Sequence, residues 1–155
     1  MHPHHEDTLA MQALAFDWAH SYDTKDWGLL ASILSHELDV DYSQVTGSKC
    51  KTMTKDDFVA MLSDKTLLGN DLVSTHHLIG ASKYEMLTES SAIGVHQIRA
   101  AHQRYTQSDK KAVAAKGHGH GLMQHKYLKT PQGWRIAGIR PIVYWNEYDF
   151  DKIFV

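Results

Sequence analysis

The spacing of hydrophobic residues changes along the chain, and this change constrains the fold more than any other feature of the sequence. Before residue 70 most apolar side chains recur at intervals of three and four, which is typical of amphipathic helices. From Leu72 onward the period drops to two, in four segments separated by turn signals: 72–87, 91–105, 111–129 and 134–144. Helices followed by long strands predict an α+β domain in which the helices cover one face of a strongly curved, mostly antiparallel sheet. Such a sheet forms a cone with a hollow.

Local signals place the elements of the first 70 residues. The first helix has one apolar face, formed by Met11, Leu14, Ala15, Trp18 and Tyr22. A short second helix is predicted over 26–34, and a strand over 38–43 whose alternation turns Tyr42 inward. Thr54 begins a sequence that resembles a capping box, so a third helix starts there and ends near Gly69. Both Tyr22 and Tyr42 are therefore expected to face the interior.

Length and charge narrow the class of protein. A chain of 155 residues fits a single domain, 1–155, that can enclose a pocket, with residues 1–7 expected to be disordered. Sixteen Lys and Arg against eighteen Asp and Glu give a net charge of −2 without a block of one sign, so we expect no nucleic-acid partner. No apolar run is long enough for a membrane helix. A single cysteine, Cys50, and no apparent leader predict a cytoplasmic protein.

Twelve histidines raise the possibility of acid–base or metal chemistry. Strand parity places Thr75 and His77 on one face, and His102 on the same face as Ala100 in the next strand. Asp23 ends the first helix beside its buried face, where a carboxylate needs a partner, and His102 is the partner that we expect. The alternative is that both histidines are core residues satisfied by backbone carbonyls. Tyr22 and Tyr42 are, on pattern alone, equally compatible with core aromatics.

The stretch Gly117 to Gly121 contains His118 and His120 at a spacing that puts two imidazoles on one face of a strand. A metal site would need a third and usually a fourth ligand. Three side chains are available, but no spacing singles one out: Glu37, His96 and His125. The alternative is a pair of half-exposed histidines, with the glycines providing the bends of a curved sheet.

Five segments of this sequence resemble scytalone dehydratase, in order and with few gaps from about Leu14 to Phe154: 18–27, 75–80, 96–105, 116–120 and 145–154. The resemblance implies the cone-shaped α+β barrel of the nuclear-transport-factor-2-like (NTF2-like) class. It also implies a homotrimer, an aromatic polyketide substrate, and neither a metal nor an organic cofactor. The family dehydrates a hydroxylated tetralone in fungal melanin biosynthesis.

Carried over position by position, the resemblance assigns roles to five polar residues. Tyr22 and Tyr42 match the tyrosines that hold a water against the substrate carbonyl, His77 matches the general base, and His102 with Asp23 matches the supporting pair. The resemblance further assigns eleven residues to a substrate-binding lining: Trp18, Val45, Met61, Leu67, Ala100, Gly121, Met123, Pro141, Val143, Phe150 and Phe154. Three of them, Trp18, Met61 and Phe150, also fit the pattern of core residues.

The sequence departs from the family at the substrate contacts. Gly121 and Met123 stand where the family has a serine and an asparagine, Val45 replaces a phenylalanine, and Ala101 replaces a proline. The chain also ends soon after Phe154, without the family's longer tail. We therefore expect a pocket that is emptier and more apolar than the family's. The expected activity is that of a dehydratase, which is a carbon–oxygen lyase, on an aromatic polyketide that is larger or less hydroxylated than the family's substrate. The alternatives are a polyketide cyclase or isomerase, and a domain that binds a small molecule without turnover.

Overall fold

Helices come first and a long-stranded sheet follows, as the change of period predicts. A computed structural model describes residues 1–155, and the α+β class is confirmed. None of the helices combines the length and the apolar character needed to cross a membrane. In chain order the elements are α1 (His5–Thr24), α2 (Trp27–Ile33), β1 (Leu34–Val40), α3 (Ser43–Thr46), β2 (Lys51–Thr54), α4 (Lys55–Leu62), β3 (Val73–Thr88), β4 (Ser91–Tyr105), β5 (Val113–Thr130), β6 (Gly133–Tyr148) and a 3₁₀ turn (Phe150–Lys152).

The six strands form one curled, unclosed sheet in the order β2-β1-β6-β5-β4-β3. Strands β3 to β6 make an antiparallel meander, whereas β1 pairs in parallel with β6. The register sets His77 opposite Ala100, and His102 opposite Thr75 on one side and Gly117 on the other. The predicted curved and mostly antiparallel sheet is thus confirmed, and its central strands bring the histidines of β3 and β4 together.

The core lies between α1 and the concave face of the sheet. The largest fully buried side chains come from the helices and from the middle of the strands: Met11, Trp18, Leu30, Leu38, Phe58, Tyr127, Ile136 and Ile139. Each aliphatic or aromatic side chain buried in this way contributes about 1.5–3 kcal/mol relative to exposure. The apolar face predicted for α1 is the one that packs on the sheet, so the end of α1 is fixed above β3.

The predicted ends of two early elements are wrong. β1 ends at Val40, because the Asp41 carboxylate accepts hydrogen bonds from the backbone N–H and hydroxyl of Ser43 and turns the chain into α3. Tyr42 therefore precedes α3 instead of lying in a strand. The Thr54 cap is present, with its Oγ1 accepting from the Asp57 N–H at 3.1 Å, but α4 ends at Leu62 and turns follow it. The short α3 and β2 were not predicted, since neither has enough residues to show a period.

The first helix begins at His5, inside the segment that we expected to be disordered. Asp7 accepts hydrogen bonds from the Trp134 indole N–H at 2.7 Å and from the Lys129 ammonium at 2.9 Å. These bonds lower the pKa of Asp7, so the carboxylate is ionised at neutral pH and ties the start of α1 to β5 and β6.

Candidate active site

Asp23, in the last turn of α1, meets His77 of β3. Its carboxylate oxygen Oδ1 lies 2.6 Å from His77 Nδ1. The backbone N–H of His77 donates to both carboxylate oxygens, at 3.1 and 2.9 Å, and the Thr75 hydroxyl donates to Oδ1 at 2.9 Å. Two residues of one strand face thus hold the carboxylate through side-chain and backbone bonds.

The electrostatics of this pair fix the tautomer of His77. Burial raises the pKa of Asp23, but the hydrogen bonds and charge of His77 and the Thr75 hydroxyl outweigh it, and the net pKa is lowered. An ionised carboxylate only accepts, so His77 Nδ1 carries the hydrogen of this bond, and in the neutral ring the lone pair lies on Nε2. The His77 side chain is only 7% exposed. It is therefore an oriented imidazole with a free basic nitrogen.

The expected pairing of Asp23 with His102 is wrong. The end of α1 lies over β3, where Thr75 and His77 share a face, and His102 is one strand farther away. The His77 and His102 rings are 5.9 Å apart between centroids, nearly perpendicular. His102 Nδ1 is buried and has no hydrogen-bond partner, while the backbone N–H of His102 donates to His118 Nδ1 at 3.3 Å.

His102 is a neutral imidazole in an aromatic environment. Burial and the nearby His77 lower the pKa of His102 to about 4. Its ring makes edge-on contacts with Phe150 at 5.2 Å and Phe154 at 5.7 Å. At neutral pH this group can share a hydrogen bond, but it carries no charge.

Tyr22 and Tyr42 come together from α1 and from the turn before α3. Their hydroxyl oxygens are 2.9 Å apart, within hydrogen-bond distance. Burial is the main cause that raises the pKa of Tyr22 well above its usual value, and the neighbouring Tyr42 adds to the effect. Burial raises the pKa of Tyr42 to about 12. Both phenols therefore keep their protons at neutral pH. Because one hydroxyl donates to the other, the pair has one hydrogen left to donate to a third group.

These groups surround a cavity of about 620 Å³, in which 18 of the 31 lining residues are hydrophobic. Tyr22, Tyr42, His77 and His102 lie on its wall, whereas Asp23 lies behind His77. Every residue assigned from the resemblance to the substrate-binding lining is also on the wall: Trp18, Val45, Met61, Leu67, Ala100, Gly121, Met123, Pro141, Val143, Phe150 and Phe154. The arrangement combines a base, a pair of hydrogen-bonded phenols and an apolar chamber.

The histidines considered as metal ligands have other partners. His120 Nε2 lies 2.9 Å from Glu147, which also pairs with Arg99 at 3.5 Å. His96 and His125 are both bonded to the Tyr127 hydroxyl. No group of three or more His, Cys, Asp or Glu side chains is placed to hold a metal ion.

Thr75 is the site residue that the sequence analysis did not assign. Its hydroxyl donates to the Asp23 carboxylate and helps to set its orientation. The spacing Thr-x-His on one strand face was visible in the sequence, but its meaning depends on a carboxylate arriving from α1.

The sequence of this chain is similar to those of known dehydratases. The family model described as scytalone dehydratase matches residues 3–155. The chain belongs to the scytalone dehydratase family. It is 47% identical over 148 residues to scytalone dehydratase arp1 of Aspergillus fumigatus, covering 96% of this chain and 88% of the relative. It is 42% identical over 152 residues to dehydratase GME11372 of Pestalotiopsis microspora, covering 98% and 96%.

A solved structure shows the same fold. The Kfla4162 protein from Kribbella flavida superposes with a TM-score of 0.82 at 20% identity, covering 94% of this chain and 95% of that one. At this identity the likeness concerns the fold alone. It agrees with the cone-shaped, NTF2-like architecture implied by the resemblance to the scytalone dehydratase family.

The departure from the scytalone dehydratase family at Gly121 does not leave an empty space, so that expectation is wrong. The β5–β6 register shifts between His120 and Gly121, where Tyr144 is an extra residue of β6. The shift presses the backbone against Gly121, and a Cβ there would overlap the carbonyl oxygen of Ile142. Met123 places an apolar side chain on the cavity wall.

We expect Gly121→Ser to lower the free energy of unfolding by about 1–3 kcal/mol, because the new side chain forces the β6 backbone to move. Gly119→Ala is the matched control on the same strand and cavity wall, since its Cβ would meet only Asn146 Oδ1 at 3.6 Å. Urea denaturation followed by circular dichroism measures both variants. Equal stability of Gly121→Ser and the unmodified protein would contradict the overlap.

Proposed function

We propose that this protein is a cofactor-independent dehydratase that removes water from a β-hydroxy ketone of an aromatic polyketide intermediate, in secondary-metabolite or pigment biosynthesis. One observation carries the proposal: the 2.6 Å pair of Asp23 and His77 stands at the wall of an apolar cavity beside two protonated tyrosines. The relatives named as dehydratases support the same reaction class.

The residues match each step of the elimination. His77 Nε2 takes the proton alpha to the carbonyl, and the C–H electrons pass into an enolate. The tyrosine pair, in which one hydroxyl donates to the other, donates its remaining hydrogen to the enolate oxygen, directly or through a water. The C–O bond then breaks, the leaving hydroxyl takes the proton from the His77 imidazolium, and water departs as the double bond forms. Such a base is worth about 10²- to 10⁴-fold in rate, and one oriented donor about 10²- to 10³-fold.

Asp23 and His102 have supporting roles in this scheme. The Asp23 carboxylate stabilises the imidazolium that forms on His77 and keeps the ring oriented. His102 stays neutral because its pKa is about 4, so we assign it a hydrogen bond to the substrate instead of proton transfer. Together with Phe150 it excludes water from the reacting carbons.

The lining indicates the substrate class. The four polar groups of the wall on which the reaction depends come from Tyr22, Tyr42, His77 and His102, and the residues assigned to substrate binding are apolar or lack a side chain. The other polar side chains of the wall are exposed, except that of His120, which pairs with Glu147. A site with few buried polar partners selects poorly for a substrate rich in hydroxyls. We therefore propose a fused-ring ketol whose non-reacting part carries few hydroxyls.

We also propose that the protein is a cytoplasmic homotrimer, as the family resemblance implies. The exposed free thiol of Cys50 fits a reducing compartment. The outer face of the sheet presents large apolar side chains that a second copy of the chain could cover: Leu78, Tyr144 and Trp145 are 57%, 60% and 58% exposed. Light scattering after gel filtration measures the mass, and a monomeric mass overturns the trimer.

Mass spectrometry of the purified protein with a panel of hydroxytetralones and related polyketide ketols tests the function. We expect a product lighter than its substrate by one water, whether or not a chelator is present. A product of unchanged mass would indicate a cyclase or isomerase on the same cavity, and binding without any product would indicate a binding domain. Loss of turnover with chelator would overturn the cofactor-independent mechanism.

A further inference from the structure

A second set of polar side chains is buried beneath α1, away from the cavity. His96 and His125 are fully buried, with 0% exposure. The Tyr127 hydroxyl lies 3.1 Å from both His96 Nε2 and His125 Nδ1, and the Ser82 hydroxyl lies 2.8 Å from His96 Nδ1. We call Ser82, His96, Tyr127 and His125 the Tyr127 network; the reaction described above does not use it.

All members of the Tyr127 network are neutral at physiological pH. Burial lowers the pKa of His96 to about 4, and burial with the neighbouring His96 lowers the pKa of His125 well below its usual value. Burial is the main cause that raises the pKa of Tyr127 well above its usual value, and the neighbouring Tyr84 adds to the effect. A hydroxyl between two neutral imidazoles donates to one and accepts from the other, so Tyr127 couples the tautomers of the two histidines.

The chain leaves space for this network at a cost in side-chain packing. At Gly94 of β4 a Cβ would lie 2.7 Å from the Tyr127 ring and 3.1 Å from His96 Nε2. Buried polar groups stabilise a fold no better than apolar ones of the same shape, unless their directional bonds define a position. The geometry therefore indicates that the network defines the position of something that it contacts.

Trp18 is the side chain through which the network reaches the candidate active site. Its ring centroid is 4.9 Å from that of His125, in an edge-on contact. The same indole makes an edge-on contact with His77 at 5.4 Å and lies 4.9 Å from the Tyr22 ring. Trp18 is fully buried, so a displacement of His125 transmits to the wall beside the proposed base.

We propose that Tyr127 and His125 are positioning residues for the reaction: the network holds Trp18 against His77 and so keeps the His77–Asp23 pair aligned. This inference rests on the proposed function for its kinetic consequence. Its structural consequence, the geometry of the His77–Asp23 hydrogen bond, can be measured without any substrate.

Tyr127→Phe tests the proposal, with Tyr84→Phe as the matched control. Both changes remove one hydroxyl from the same aromatic cluster, but the Tyr84 hydroxyl bonds to neither histidine of the network. We expect Tyr127→Phe to lower kcat about tenfold with KM within a factor of two, and Tyr84→Phe to change neither. The low-field proton resonance of the His77–Asp23 bond should shift or broaden in Tyr127→Phe alone.

The proposal is overturned if Tyr127→Phe lowers the melting temperature but leaves kcat and the low-field resonance unchanged. The network would then have a structural role only. If Tyr127→Phe does not fold, His125→Asn replaces it, because the amide keeps a bond to Tyr127 and removes the ring against Trp18; the same loss is expected. If the unmodified protein turns over no ketol, the proposed function fails, and the resonance alone still decides whether the network positions His77.

Discussion

His77→Ala should lower kcat by about 10²- to 10⁴-fold, because it removes the imidazole that Asp23 orients, at 2.6 Å, beside the two tyrosines. The fold should persist, since His77 lies at the cavity wall and its removal leaves Asp23 bonded to Thr75 and to the strand backbone. The measurement is initial rate of water loss on the best ketol of the panel, with circular dichroism to verify folding. His76→Ala is the matched control, because His76 is the adjacent residue of β3 and is exposed.

Asp23→Asn separates the two parts of the pair. An amide can still accept from His77 Nδ1, but it does not stabilise an imidazolium by charge, so kcat should fall by about 10²-fold. A near-normal rate in His77→Ala would remove His77 from the role of base. A normal rate in Asp23→Asn alone would leave His77 as base and show that the carboxylate serves only structure.

Sequence patterns were sufficient for the parts of the site that depend on one element. Helical spacing predicted that Tyr22 faces inward, and strand parity put Thr75 and His77 on one face. The partner of Asp23 depends on which strand lies under the end of α1. Because β3 offers His77 and β4 offers His102 on the same face, no periodicity distinguishes His77 from His102, and the wrong one was chosen.

Gly121 shows a second limit. A glycine on a strand facing a pocket suggests free volume, which is why we expected an emptier pocket at this position. The β6 bulge at Tyr144 moves backbone into that volume, and a bulge is a property of two paired strands. Likewise, the parallel pairing of β1 with β6 connects residues about 100 positions apart, which no local pattern encodes.

Acid should unfold this protein well above the pH at which its carboxylates titrate. The pKa of His96 and that of His102 are lowered to about 4, and the pKa of His125 is lowered further, in each case first by burial. In the unfolded chain these imidazoles titrate near ~6.5. Between these values the unfolded state binds more protons than the folded state, so stability is complete above about pH 6.5 and falls as the pH drops toward 4.

The slope of the free energy of unfolding against pH measures how many histidines are buried in the neutral form. Each contributes about 1.4 kcal/mol per pH unit within this window, so three together approach ~4 kcal/mol per unit, against a total of about 5–15 kcal/mol for a typical domain. Urea midpoints at pH 7, 6 and 5 give the slope directly. His102→Gln should reduce it by about one proton, whereas His36→Gln, at an exposed position of β1, should not. Constant stability from pH 7 to pH 5 would mean that the three imidazoles bind protons as readily in the folded state as in the unfolded state. The neutral Tyr127 network and the neutral His102 would then both have to be abandoned.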